Sequence, residues 1–225
     1  MNDVSNRTDK IFRWIVWFGI LAAFAALALY GYLGTFSRYG SDDYCLSAFY
    51  HSDVDLVTRL IDRYYHASSR YTNILFIGLA DSVFGWYNVA ILPPLMLVLF
   101  VFGLYLLLQE IARLASLGLS RSFCFLLAGM ILFFSLLQAP NLYETLYWRA
   151  GMTSHFAPLA FMPFLFVFIL RQINQSGRMI PSWWIRGACL FLTFMLGGFS
   201  EPPLAMMITL LALARAGAVM VAIDG

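Results

Sequence analysis

Long apolar runs alternate with short polar stretches along the whole chain. Residues 1–13 are polar and carry Arg7, Lys10 and Arg13. An uninterrupted run of apolar and small residues then covers 14–33, and its 20 residues match the length a helix needs to cross hydrocarbon. A cleaved signal peptide would have a shorter apolar core and a small-x-small site, and none precedes Thr35-Phe36-Ser37. The run is read as an uncleaved first span. Residues 36–72 form the most polar segment. Within it Leu56, Val57, Leu60, Ile61, Tyr64 and Tyr65 recur at helical spacing, with Asp55, Arg59, Asp62, Arg63 and His66 between them. That pattern predicts an amphipathic helix lying in the membrane interface.

The later runs follow the same logic. Residues 73–85 are apolar but only 13 long, and they contain Asp81, which predicts a re-entrant, interfacial or helix-packed segment rather than a span. Residues 89–108 predict a second span, with Pro93-Pro94 marking a kink or a helix start. A third covers 123–139 and ends at Pro140-Asn141. A fourth covers 150–170, with Thr153, Ser154 and His155 at its outer end. After a polar loop over 171–182 with Arg171, Arg178 and Pro181, a fifth covers 183–199. Ser200-Glu201-Pro202-Pro203 makes a tight turn, and 204–223 predicts a sixth span in which Arg215 snorkels to the surface. The expected fold is all-α: a polytopic transmembrane helix bundle of about six spans. It forms a single membrane-embedded domain over 1–225, with 36–72 as its first outer loop. The stop at Asp224-Gly225 without a tail reads as the N-terminal portion of a longer chain.

Composition supports a membrane protein. The chain is 61% hydrophobic and 12% charged, against about 25% charged in soluble domains. Alternating segments of about ten residues, the mark of a membrane β-barrel, are replaced by continuous apolar runs. The three cysteines, Cys45, Cys124 and Cys189, lie far apart without metal-type spacing, so a structural disulfide is not expected. No phosphate-binding Gly-rich loop and no extended basic tract for nucleic acid occurs.

Charge sets an orientation. With a cytoplasmic N-terminus and six spans, nine basic residues fall inside: Arg7, Lys10, Arg13, Arg113, Arg121, Arg171, Arg178, Arg186 and Arg215. Five fall outside: Arg38, Arg59, Arg63, Arg70 and Arg149. The positive-inside rule favours this arrangement. Asp42, Asp43, Asp53, Asp55, Asp62, Asp81, Glu144 and Glu201 then lie at or near the outer face, with His51, His66 and His155. A long outer loop accounts for several of these by itself. It accounts less well for Glu144, His155 and Glu201, which sit in short turns or at helix ends.

Four outer segments can converge on one ligand: Ser41-Asp42-Asp43-Tyr44, Ser69-Arg70-Tyr71, Tyr147-Trp148-Arg149-Ala150-Gly151 with His155, and Phe199-Ser200-Glu201. An aspartate deprotonates a hydroxyl or holds a divalent cation. Arginine clamps phosphate, and tyrosine and tryptophan stack on sugars or line a headgroup site. Together these suit group transfer from a phosphate-bearing lipid. Each residue also has a plainer reading. Arg70 pairs with a loop aspartate, Trp148 belongs to the interfacial belt, His155 is a hydrogen-bonded helix residue, and Glu201 is a helix-N-terminal charge.

These segments, together with Tyr64-Tyr65 and Gly197-Gly198-Phe199-Ser200-Glu201, resemble bacterial polytopic proteins of the GT-C glycosyltransferase superfamily, and more closely a glucosyltransferase-like group within it. The resemblance implies a catalytic or metal-binding carboxylate in the first outer loop, a polyprenyl-phosphate sugar donor and an inverting transfer. Carried over, Asp42 or Asp43 is the general base, and Asp43 the ligand of a divalent ion such as Mg or Mn. Tyr44, Arg70, Tyr147, Trp148, His155 and Glu201 would bind substrate. The expected location is the bacterial cytoplasmic (inner) membrane, the partners a lipid-linked sugar donor, the bilayer and a glycan or protein acceptor at the cell envelope. Members of the superfamily usually have more spans than six and a soluble outer domain. The competing readings are a transporter or flippase-like component for lipid-linked glycans, and a structural membrane subunit.

Overall fold

The computed structural model describes residues 2–50, 54–66, 68–173 and 182–224. His51, Asp53, Arg178 and Pro181 lie outside these ranges, as does the side chain of Arg215. Among the described residues every element is helical and no strand occurs, so the all-α expectation holds. The chain runs through α1 (Asn2–Gly34), α2 (Asp42–Tyr50), α3 (Leu56–His66), α4 (Tyr71–Phe84), α5 (Asn88–Leu114) and α6 (Arg121–Leu137). It continues through the short α7 (Arg149–Gly151) to α8 (Ala157–Ile173), α9 (Ser182–Gly197) and α10 (Glu201–Asp224).

Among the described residues, three helical stretches are long and apolar enough to cross a membrane: Lys10–Gly34, Tyr71–Leu114 and Arg149–Gln172. Arg121–Leu137, Trp183–Gly197 and Glu201–Leu213 are apolar but shorter. Three of the expected six spans, over 14–33, 89–108 and 150–170, thus fall in stretches that meet the length and apolarity of a crossing. The stretch through α4 and α5 counts as one, yet Gly85 at φ 53° and a 3₁₀ turn over Gly85–Tyr87 interrupt it. Gly85 can take this left-handed backbone because it has no Cβ. Pro93 and Pro94 lie inside α5.

The helices order themselves by burial. In the Arg149–Gln172 stretch 56% of the apolar window is buried, against 22% in Lys10–Gly34, so α8 is central and α1 peripheral. Helix α8 packs between α5 and α9, while α1 packs on α5 and α6. The core between them joins Leu27, Leu92, Met96, Leu97, Val101, Leu132, Leu146, Phe156 and Phe199. Trp14, Ile15, Phe18 and Leu21 of α1 stay exposed, as do Leu190, Phe191 and Phe194 of α9. Apolar surface of this extent on helices is what lipid contact requires.

Contacts between helices define two ends. Phe12 meets Phe123, and Glu110 meets Arg171, at the N-terminal end. Pro93 and Pro94 of α5 lie against Gly34 and Gly31 of α1 at the other. Exposed aromatic residues mark both: Trp14, Trp17 and the stacked pair Trp183–Trp184 at one end, and Trp86, Tyr87 and Tyr143 at the other. Paired girdles of this kind sit at headgroup level. Both ends of α4 are held at the second end, near Ser154 by Asn73 and at Arg149 by Asp81. The helix is thus packed on other helices at this end, one of the placements its short length predicts. Asp55 caps α3, accepting from the backbone N–H groups of Val57 and Thr58 at 3.0 Å. The apolar stripe of α3, Val57, Ile61, Tyr64 and Tyr65, is exposed, while Arg59 and Arg63 are half-buried. The amphipathic helix thus exists, with its apolar side turned away from the bundle.

Candidate functional site

The polar residues of the α4 end separate into a buried cluster and an open cavity beside it. Arg149 is the centre of the cluster and is 1% exposed. It enters at the start of α7, between a π turn over Tyr143–Tyr147 and another over Met152–Phe156. Such turns widen a helix and redirect its side chains, and they recur at functional sites. Arg149 Nη1 donates to Asp81 Oδ1 at 2.7 Å and to Asn88 Oδ1 at 3.2 Å. Its Nη2 donates to the Asp43 carbonyl at 2.9 Å and to Ser47 Oγ at 3.0 Å, and its Nε to Asp43 Oδ1 at 3.4 Å. The Tyr39 ring covers the guanidinium, 4.7 Å from its carbon.

Asp43 is fully buried, and both of its oxygens are engaged. Oδ1 accepts from Arg149 and from the Ala150 N–H at 3.1 Å, and Oδ2 from the Gly40 N–H at 3.2 Å. Burial pushes its carboxyl above the usual aspartate range, and these donors partly offset that. Ser41, just before the acidic pair, adopts φ 44°, a left-handed conformation unusual for a side-chain-bearing residue. Strain of this kind is held in place by its surroundings, here by the Gly40–Asp43 bond.

Asp42 has the opposite environment. It is exposed and lines a cavity of about 250 Å³ with Cys45, Arg63, Arg70, Asn73, Ala150 and Ser154. Asn73 donates to Ser154 Oγ, fixing one wall. Arg70 Nη2 meets Glu201 Oε2 at 2.8 Å. The hydrogen bonds from Arg70 hold the Glu201 carboxyl below its ordinary range, with His155 adding a smaller attraction.

The turn carrying Glu201 is itself anchored. The Gly198 carbonyl accepts from the N–H groups of Thr72 and Asn73 at 3.0 and 3.3 Å, satisfying the start of α4. Ser200 Oγ donates to the Ser154 carbonyl at 2.6 Å. A Cβ on Gly198 would collide with the Tyr71 ring and Thr72 Oγ1, so this approach requires glycine.

The expected site residues therefore divide. Asp42 and Arg70 line the cavity, and Glu201 joins them through Arg70. His155 is exposed nearby. Tyr147 donates to the Tyr30 carbonyl at 3.2 Å and Trp148 Nε1 to the Gly40 carbonyl at 3.3 Å, so both hold elements together. Tyr44 is exposed and its ring lies 5.8 Å from that of Tyr39. Asp43, the expected metal ligand, is buried, and Arg149 and the Ala150 and Gly40 N–H groups donate to its oxygens. No group of three or more His, Cys, Asp or Glu side chains converges among the described residues. Sequence reasoning missed Arg63, Asn73 and Ser154 on the cavity wall, and Ser47, Asp81 and Asn88 around Arg149. Asp81 carried a signal, an acidic residue inside an apolar stretch. The others are ordinary polar residues until the fold gathers them.

Comparison of the chain with protein families, with curated proteins and with solved structures finds no match.

Proposed function

We propose that the protein is a GT-C-type glycosyltransferase of the membrane, transferring a sugar from a polyprenyl-phosphate donor to a cell-envelope acceptor. The observation that carries this reading is the cavity at the α4 end, where one exposed carboxylate, Asp42, shares a wall with Arg63 and Arg70. At about 250 Å³ it falls below the roughly 300–1,000 Å³ of drug-sized pockets, a size suited to one sugar and its phosphate.

In this reading Asp42 accepts the proton of the acceptor hydroxyl as that oxygen attacks the anomeric carbon. The bond from that carbon to the phosphate oxygen breaks, and the lipid phosphate leaves with the electron pair. Arg70 and Arg63 stabilise the charge gathering on the phosphate. Glu201 orients Arg70, and the Asp43–Arg149–Asp81 cluster positions the backbone that presents Asp42. Attack opposite the leaving group inverts the anomeric centre. No step is assigned to a metal. The shorter helices α6, α9 and α10 cross the bilayer with the three longer stretches in the proposed topology. The N-terminus is cytoplasmic and the cavity faces the outer side of the bacterial inner membrane.

The test is sugar transfer by the full chain in proteoliposomes, from a panel of polyprenyl-phosphate sugars. Asp42→Asn is expected to lower the rate about 10²–10⁴-fold, the usual worth of a general base, while donor binding and folding persist. Transfer that survives Asp42→Asn sinks this assignment. Donor binding without transfer to any acceptor points to a lipid-linked glycan transporter instead.

A further inference from the structure

The opposite end of the bundle holds a second polar cavity, of about 610 Å³, which the transfer reaction does not use. Gln109, Glu110 and Arg113 of α5, Ser116 and Gly118 of the following turn, Arg121 and Cys124 of α6, and Arg171 of α8 line it. Three arginines against one glutamate leave it with two positive charges in excess.

Glu110 organises the arginines. It is buried, and its Oε2 accepts from Arg113 Nε at 2.9 Å and lies 2.7 Å from Arg113 Nη2, while Oε1 accepts from Arg171 Nε. A guanidinium carries five N–H donors, so the two bonds from Arg113 leave donors over for a ligand. Arg121 opens α6, whose first N–H groups and positive dipole end face the same turn; Ser120 takes the Phe123 N–H and the earlier ones remain for another acceptor. The Gln109 Nε2 atom is buried without a hydrogen-bond partner. A buried amide donor is costly to leave unmade, and Gln109 itself is one of the residues of the cavity wall.

We propose that this cavity binds a phosphate group, that of an anionic phospholipid headgroup or of a soluble phosphate ester. It lies at the end ringed by Trp14, Trp17, Trp183 and Trp184, the level at which lipid phosphates sit. Basic pockets between membrane helices hold acidic headgroups by this chemistry.

Native mass spectrometry of the full chain in detergent, titrated with phosphatidylglycerol and with phosphatidylcholine, tests it. Phosphatidylglycerol is expected to bind more tightly. Arg121→Gln, on an exposed side chain, is expected to weaken that binding about fivefold, the worth of one basic residue at a charged lipid surface. Arg113→Gln in addition weakens it further, whereas Arg7→Gln, outside the cavity, leaves it unchanged. Displacement by millimolar inorganic phosphate or glycerol 3-phosphate identifies a soluble ester as the ligand; resistance identifies the lipid. Equal binding of the two lipids with no displaceable phosphate overturns the proposal. So does Arg121→Gln with unchanged binding and unchanged thermal unfolding. If Arg113→Gln fails to fold because Glu110 loses its partner, the Arg121 variant still decides.

Discussion

Two neighbouring aspartates have opposite fates, and one helical turn decides them. Asp43 points into the bundle and meets Arg149, while Asp42 points into the cavity. A buried carboxylate is tolerable only when paired and hydrogen-bonded, and the Asp43–Arg149–Asp81 cluster meets that condition for every charged oxygen facing Arg149. Taking out the shared partner should therefore be severe. Arg149→Met is expected to cost about 3–5 kcal/mol, because two buried carboxylates lose their counter-charge. Adding Asp43→Asn and Asp81→Asn should recover part of that loss. Unfolding in detergent, followed by tryptophan fluorescence, compares the single and triple variants. A single variant as stable as wild type would show that Arg149 does not hold this end together. Asp42→Asn, on an exposed side chain, should move stability by no more than about 0.5 kcal/mol.

At the scale of elements, the site depends on how the α9–α10 turn docks on the start of α4. One carbonyl, that of Gly198, caps two N–H groups of α4, and three residues on, Glu201 meets Arg70. Gly198→Ala is expected to destabilise by about 1–3 kcal/mol through overpacking against Tyr71 and Thr72. It should also separate Arg70 from Glu201 and reduce donor binding. Thermal unfolding and donor titration of this variant measure both effects; normal donor affinity beside a clear loss of stability would disconnect the turn from the site. Helix α3 contributes differently. Its exposed stripe of Val57, Ile61, Tyr64 and Tyr65 suits burial at the lipid boundary, which leaves Arg63 to line the cavity.

The whole molecule is a bundle with a different polar cavity at each end. One has a carboxylate between arginines, the other an arginine cluster around Glu110. The proposed orientation places the first outside, and cysteine chemistry can check it. Cys45 is exposed at the α4 end, while Cys124 is buried and Cys189 half-buried within helices. A membrane-impermeant maleimide is expected to label Cys45 from the outer side of spheroplasts, and Cys45→Ser should remove that signal. Labelling of Cys45 only after the membrane is breached would invert the topology and place the cavity inside.

The pattern of apolar runs determined by itself the all-helical class that the described residues show, and it pointed to a membrane, because hydrocarbon admits a lone segment only when its backbone is satisfied internally. Its apolar runs fall on the long helices, although α1 begins at Asn2, well before the run at residue 14, and it marked 73–85 as too short to span by itself. It also drew attention to the Asp42-Asp43 pair, Arg70 and Glu201, since charges are scarce in such a chain. The rest was decided in three dimensions. Adjacent aspartates look alike in a sequence, yet a helix sends neighbours about 100° apart, so only the packing of α2 chose which one Arg149 would bury. Asp81, Asn88 and Ser47 come from distant helices and acquire a shared role only where those helices meet. Length alone also could not reveal which helices α4 packs on, because that depends on the partners Asn73 and Asp81 find.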